Sequence, residues 1–304
     1  DDVTLGGSQD VVAKDVKLVM DAGAALGLHL NIAKCEIISH PGCCITDSLL
    51  QSFMQVSVSD ASLLGAPLFP GSVLDNAWTL RCEELSRAVD RLEAVGSQDA
   101  LILLRASFSA PRVQHLLRCS PSVDNAGLET FDRLLRSAVG RITNSDLSDT
   151  QWLQASMPIR QGGLGLRRVS SLAFSAFLAS AASTLSLQEQ ITASFPCPSD
   201  TYFCTYLSTW STLFGIPQLS DPLPTKQSFY DKPGIMSDRS QIEAALVEPS
   251  QQARFMAAAA PHSGDWLLAL PISSCGLRLE DEAVRVAVGM RLGLDLCVPH
   301  NCRC

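Results

Sequence analysis

The chain opens on Asp1-Asp2, and adjacent carboxylates suit a hard divalent cation: Mg2+ is commonly held by one or two carboxylates together with substrate phosphates. In a regular strand neighbouring side chains face opposite ways, so only one of the pair could ligate a given ion; a tight turn relaxes that constraint. Asp1 is then the ligand and Asp2 its helper. The chemistry in view is two-metal phosphoryl transfer, in which the ions stabilise the attacking and the leaving oxygen. Taken alone the dipeptide says little, because paired aspartates are common on solvated turns. At the far end, "CVPHNCRC" supplies Cys297, His300, Cys302 and Cys304, soft or borderline ligands that suit Zn2+. Their crowding is poor for one closed tetrahedral site, so by itself this tail reads as free thiols.

A second kind of chemistry lies in the middle. Leu101 to Ser120 carries Arg105, Arg112 and Arg118 with His115 and no acid, in a chain whose net charge is −8. Such a stretch can position a duplex through phosphate contacts that carry no sequence information. It can equally be a solvated helical face. Arg160, Arg167 and Arg168 flank a glycine turn and could extend the same track. The acidic whole argues against a wholesale nucleic-acid coat protein, since phosphate binding draws on Lys and Arg releasing counterions.

The elements that must position these groups follow from periodicity. Val3 to Leu5 is expected as a strand stub, broken by Gly6-Gly7 before a helix over Gln9 to Leu26, with Gly27 as its left-handed C′ residue. Leu28, Leu30 and Ile32 alternate as a half-buried strand does, and Lys34 to Ile38 continues extended. Phe53 to Val58 and Leu63 to Leu68 read as two more short strands. From Gly71 the pattern turns helical. Trp78, Cys82, Leu85, Val89 and Leu92 share one face; further helices are expected over Gln98 to Ser109, Pro111 to Cys119, and around Leu128 to Ile142. "QWLQASMPIRQGGLGLRR" closes that block with a glycine turn, and an apolar helix follows near Ser170 to Leu187. Prolines between Phe195 and Gly234 suggest an irregular connector, and a last helical region spans Ser237 to Gly293. Trp78, Trp152, Trp210 and Trp266 fall one per segment, as packing anchors.

In their order and spacing, "DDVTLGG", "GLHLNIAKCEII" and "LLGAPLF" resemble the C-terminal half of the palm in non-LTR (LINE-like) retrotransposon reverse transcriptases. The similarity continues through "LLRASFSAPRVQHLLR", like that family's thumb, and "QASMPIRQGGLGLRR", with Met157 before Pro158. It extends to "GDWLLALP", "VAVGMRLGL" and the terminal Cys/His cluster. The resemblance implies that Asp1 and Asp2 hold Mg2+, that Lys34 acts as general acid toward leaving pyrophosphate, and that the backbone at Leu64 and Gly65 grips the primer. Gly27 and Asn31 match the segment that leads to Lys34. It further implies that Cys297, His300, Cys302 and Cys304 begin a zinc cluster completed beyond Cys304. The family's aromatic residue before the first aspartate has no counterpart here, and its further metal-site carboxylate belongs to a region N-terminal to that turn. This chain alone is therefore expected not to polymerise.

The expectation is an α+β chain, mainly α, with a partial reverse-transcriptase palm over 1–70, a helical thumb over 71–195 and a helical C-terminal region over 196–304. In the complete protein its partners are an RNA template, a DNA primer and deoxynucleoside triphosphates, with no membrane. A non-catalytic nucleic-acid or protein-binding helical module is the alternative. Eleven cysteines, an odd number scattered singly, point to a reducing intracellular compartment. No run of eighteen apolar residues and no signal peptide is evident in the sequence.

Overall fold

Apolar residues at three- and four-residue spacing become helices: in the computed structural model helix accounts for 65% and strand for 4%, a mainly α chain with a small β component. It describes residues 3–40, 42–192, 200–217, 219–220 and 222–296. The chain divides into two compact units, Asp1–Val73 and Leu74–Cys304.

In the first unit, α1 (Gln9–Ala25) buries Ala13 and Val16 against Leu50 and Phe53. Gly27, at φ 77°, ends the helix. Its N–H donates to the Ala24 carbonyl at 3.1 Å, while the Leu28 N–H reaches back to Gly23 at 2.9 Å, the paired bonds of a Schellman cap. The chain then runs through a 3-10 turn at Ile32–Lys34 into β1 (Glu36–Ile38). A short helix, α2 (Ser48–Gln51), is capped by Asp47 and leads to β2 (Met54–Val56), which pairs parallel with β1, Glu36 opposite Met54. β3 (Ser62–Leu63) and β4 (Ala66–Pro67) form an antiparallel hairpin. Leu64 at φ 50° and Gly65 at φ 76° make its two-residue turn. Positive φ at both central positions matches the twist of the flanking strands.

The strand expected over Leu63 to Leu68 is broken by that turn into the two arms of the hairpin, and two further expected strands are absent. Val3–Leu5 is irregular, and so is Leu28–Asn31, whose Leu28 is 65% exposed. A strand needs a paired neighbour to satisfy its backbone, and among the described residues neither segment is paired with another strand. The capping turn at Gly27 and the bond from the Lys34 N–H to the Asn31 carbonyl curl the second one instead.

The second unit is helical, and α3 (Ser72–Leu92) leads into it with Trp78, Cys82, Leu85, Val89 and Leu92 all buried. Trp78 is fully buried, its indole N–H donating to Ser122 Oγ at 3.1 Å and its ring edge-on to Phe131. The single helix expected over Gln98 to Ser109 is instead α4 (Ser97–Leu103) followed by a π-turn at Leu104–Phe108. α5 (Ala110–Cys119), α6 (Ala126–Thr143) and α7 (Asp149–Ala155) follow. Then comes α8 (Val169–Thr192), packed on α5 and α6. Residues 169–191 are long and apolar enough to cross a membrane, but half of that window is buried inside the protein. A helix covered on several sides is apolar all round for that reason. Its first turn is capped by buried Asp132, which accepts from Val169 N at 2.7 Å and from Ser170 N and Oγ at 3.1 and 2.6 Å. Burial wins over those hydrogen bonds and the Arg168 charge, and raises the carboxyl above its ordinary range.

The proline-rich stretch is not an irregular connector. It holds α9 (Thr201–Phe214), capped by Asp200 and ended by Gly215, and the start of α10 (Gln227–Ala245). Among the described residues, Pro217, Pro222 and Pro224 fall outside both helices. Pro233 lies inside α10, where its missing N–H leaves one carbonyl without an intrahelical donor. Phe203, Tyr206 and Trp210 bury one face of α9 against α8 and Tyr230, and Trp210 Nε1 donates to the Tyr230 carbonyl at 3.0 Å. α11 (Pro249–Ala258), α12 (Asp265–Leu268) and α13 (Asp281–Leu292) complete the unit. α10 packs on α7 and α8, and α13 on α4, α6 and α7, so no boundary between compact units falls near residue 195.

Burial, with a smaller contribution from the Asp124 charge, pushes the Tyr206 phenol up to about 12, and burial also pushes Tyr230 up. A phenol raised on folding contributes stability that is present below its unfolded value and lost as pH rises through its folded one. Unfolding followed by circular dichroism and tyrosinate absorbance should therefore show stability falling between about pH 10 and 12. Tyr206→Phe should flatten that fall; an unchanged alkaline slope would refute the assignment.

Candidate nucleic-acid interface

The basic segment splits into two environments. α5 turns Val113, Leu116 and Leu117 inward, and leaves Arg112, His115 and Arg118 exposed along one side. Arg112 shares the Glu84 carboxylate with Arg81, Nε and Nη2 of Arg112 lying 3.2 and 3.1 Å from Oε2 and Arg81 Nη1 2.7 Å from it. Partial burial works to raise Glu84, but the hydrogen bonds and charges of the two arginines hold it below the usual carboxylate range. Two cations on one anion leave the patch a net positive charge. Arg118 reaches Gln227 Oε1 at 3.5 Å.

Arg105 does not join this surface. It sits in the π-turn, half-buried, and its Nη2 donates to the Leu267 carbonyl at 2.5 Å, tying α4's end to α12. Burial holds its pKa below the ordinary guanidinium value. Arg167 and Arg168 are likewise spent: Arg167 makes a two-pronged pair with Asp231 at 2.7 Å on both arms, and Arg168 pairs with Asp238. Asp231 and Asp238 lie two turns apart on α10, so the two arginines fasten α10 to the start of α8. Arg160 is exposed in the 3-10 turn Ile159–Gln161.

The glycine turn between α7 and α8 is a knot of backbone bonds. Leu164 N donates to Ala155 at 2.9 Å and Gly165 N to Met157 at 2.9 Å. Buried Gln154 donates through Nε2 to Gly162 at 3.1 Å and to Arg291 at 2.9 Å. Arg291, also buried, answers with Nε to Gly163 at 3.1 Å, Nη1 to Ser263 at 3.2 Å and Nη2 to Ile159 at 2.7 Å. All its acceptors are carbonyls or a hydroxyl, and desolvation lowers its pKa.

Lys34 is exposed at the end of its 3-10 turn, and Leu64 and Gly65 form the exposed apex of the β3–β4 hairpin, with nothing within 4 Å of a Cβ built at Gly65. Asp1, Asp2, Cys297, His300, Cys302 and Cys304 lie outside the described residues. Among the described residues no cluster of three or more His, Cys, Asp or Glu side chains converges on a point where a metal ion could sit. No family model matches the chain, nor does any characterised protein or solved structure.

Sequence reasoning missed Glu84, Gln227 and Arg291. Glu84 lies on the neighbouring helix α3, outside the acid-free stretch, and neutralises part of its charge. Gln227 and Arg291 act across more than a hundred residues and leave no local signal.

Proposed function

We propose that this chain is part of a non-LTR-type reverse transcriptase, with the first unit a palm segment and the second a helical thumb with its C-terminal extension. In this reading α5 holds the duplex of RNA template and DNA primer by phosphate contacts from Arg112 and Arg118, with His115 between them. The Leu64-Gly65 turn bears on the primer, and Lys34 serves the leaving pyrophosphate of an incoming deoxynucleoside triphosphate. Asp1 and Asp2 are the carboxylates for Mg2+, and Cys297, His300, Cys302 and Cys304 are zinc ligands to be completed by later residues.

The observation that carries the reading is the exposed row Arg112, His115, Arg118 on a helix without a single carboxylate, within a stretch that resembles the family's thumb. Its test is the salt dependence of duplex binding. Each phosphate contact contributes about 0.9 to the slope of log K against log salt. Arg112→Glu with Arg118→Glu should thus flatten the slope for an RNA–DNA hybrid by roughly 2. A slope that does not move removes α5 from the interface.

A further inference from the structure

A cleft of about 480 Å3 opens between the first turn of α5, the Gly165 turn and α10, within the range of sites that hold small ligands. We infer that it receives one unstacked nucleotide of a single strand leaving the duplex held on α5. The inference rests on the duplex reading of α5 and adds a subsite to it.

Three features of the lining match a nucleotide. Ala110, Pro111 and Leu172 give apolar walls against which the flat face of a base can lie. Gln114 and Gln227 stand at the rim, Gln114 Nε2 donating to Gln227 Oε1 at 2.9 Å. An amide has two donors and an acceptor with two lone pairs, so that bond leaves the Gln114 oxygen and the Gln227 nitrogen to address a ligand. An adjacent acceptor and donor are what the edge of an unpaired base requires, and single strands are read through such edges once the bases are splayed out.

The charges point the same way. Arg167 and Asp231 cancel one another across one wall. Arg105, with one nitrogen spent on Leu267, leaves the cleft one uncompensated positive charge for a phosphate or a base carbonyl. Continuity with the duplex face is built in: Pro111, Gln114 and Arg118 follow one another at helical spacing along α5, and Arg118 touches the same Gln227 oxygen. A strand whose phosphate sits on Arg118 has its next base at the cleft mouth.

The test compares a blunt RNA–DNA hybrid with the same hybrid carrying a three-nucleotide single-stranded extension, in RNA and DNA versions, by fluorescence anisotropy at fixed salt on the whole chain. One seated base should tighten binding about tenfold. Gln114→Ala should abolish that gain, and so should Ser228→Trp, which fills the cleft from its rim, with melting temperature and blunt-duplex affinity retained in both. A gain with the RNA extension alone assigns the subsite to a strand bearing 2′-hydroxyls; a gain with both assigns it to the base and phosphate. Intact blunt binding with no gain from either extension, or a gain that survives both substitutions, overturns the inference alone. Failure to bind the blunt duplex overturns the reading of α5 and this subsite with it.

Discussion

Gly163→Ala should unfold or severely loosen the helical unit. A Cβ at this position would lie 2.0 Å from the Met157 carbonyl oxygen and 2.6 Å from that of Gln154. Both obstacles are backbone, so no rotamer change relieves them. Nor can the chain slide away: bonds from Gly163 N to Pro158, Leu164 N to Ala155 and Gly165 N to Met157 tie it at 3.2, 2.9 and 2.9 Å. The cost is of the overpacking kind, at least about 3 kcal/mol, or a fall of roughly 6–12 °C in melting temperature for a unit of this size. Gly6→Ala, where a Cβ meets nothing within 4 Å, is the matched control and should be silent. A Gly163→Ala protein that melts with the parent would show that the turn is held less tightly than its bonds imply.

That glycine turn was legible in the sequence as a turn and not as a clamp, and the same division runs through the molecule. What depended on local spacing could be read. The buried face of α3 was visible in the recurrence of its apolar residues, and the end of α1 in Gly27, the residue that takes positive φ without a steric penalty. Leu63 to Leu68, whose apolar run reads as one strand, is instead folded back on itself by positive φ at Leu64 and Gly65. What depended on a distant partner could not be read. Leu28, Leu30 and Ile32 alternate like a strand, but alternation makes a strand only where another backbone pairs with it. Arg105, Arg112 and Arg118 look alike in sequence; only the carbonyl of Leu267, 162 residues on, turns the first inward while the others stay outside. The region over 196–234 failed differently. Its prolines read as breaks, although Asp200 as a cap and Phe203, Tyr206 and Trp210 at helical spacing describe a helix lying between them. For the proposed interface, the helix face was in the sequence, whereas the Glu84 counter-charge and the cleft beside it came from packing.

Arg291 decides whether the C-terminal helices hold that turn in place. A buried guanidinium without a carboxylate is expensive, since desolvating a charge costs several kcal/mol. Replacing it with Met removes that penalty, which by itself would stabilise. Against this, the carbonyls of Gly163 and Ser263 would lose their donor, at about 1–3 kcal/mol each where water cannot replace it, while that of Ile159 would keep only the Gly162 N–H at 3.1 Å. The second effect should win, with a net loss of roughly 2–4 kcal/mol for Arg291→Met in urea denaturation, the cost of the carbonyls left unpaired together with the lost packing. Arg291→Lys separates charge from geometry. An ammonium keeps the charge but cannot reach three carbonyls that converge on a planar fork from separate segments, so it should recover little of the loss. Near-parental stability in Arg291→Lys would mean that a point charge suffices. Stability lost in both variants would assign the anchoring of the glycine turn, and through Gly165 the packing of Arg105 behind the cleft, to the shape of one side chain on α13.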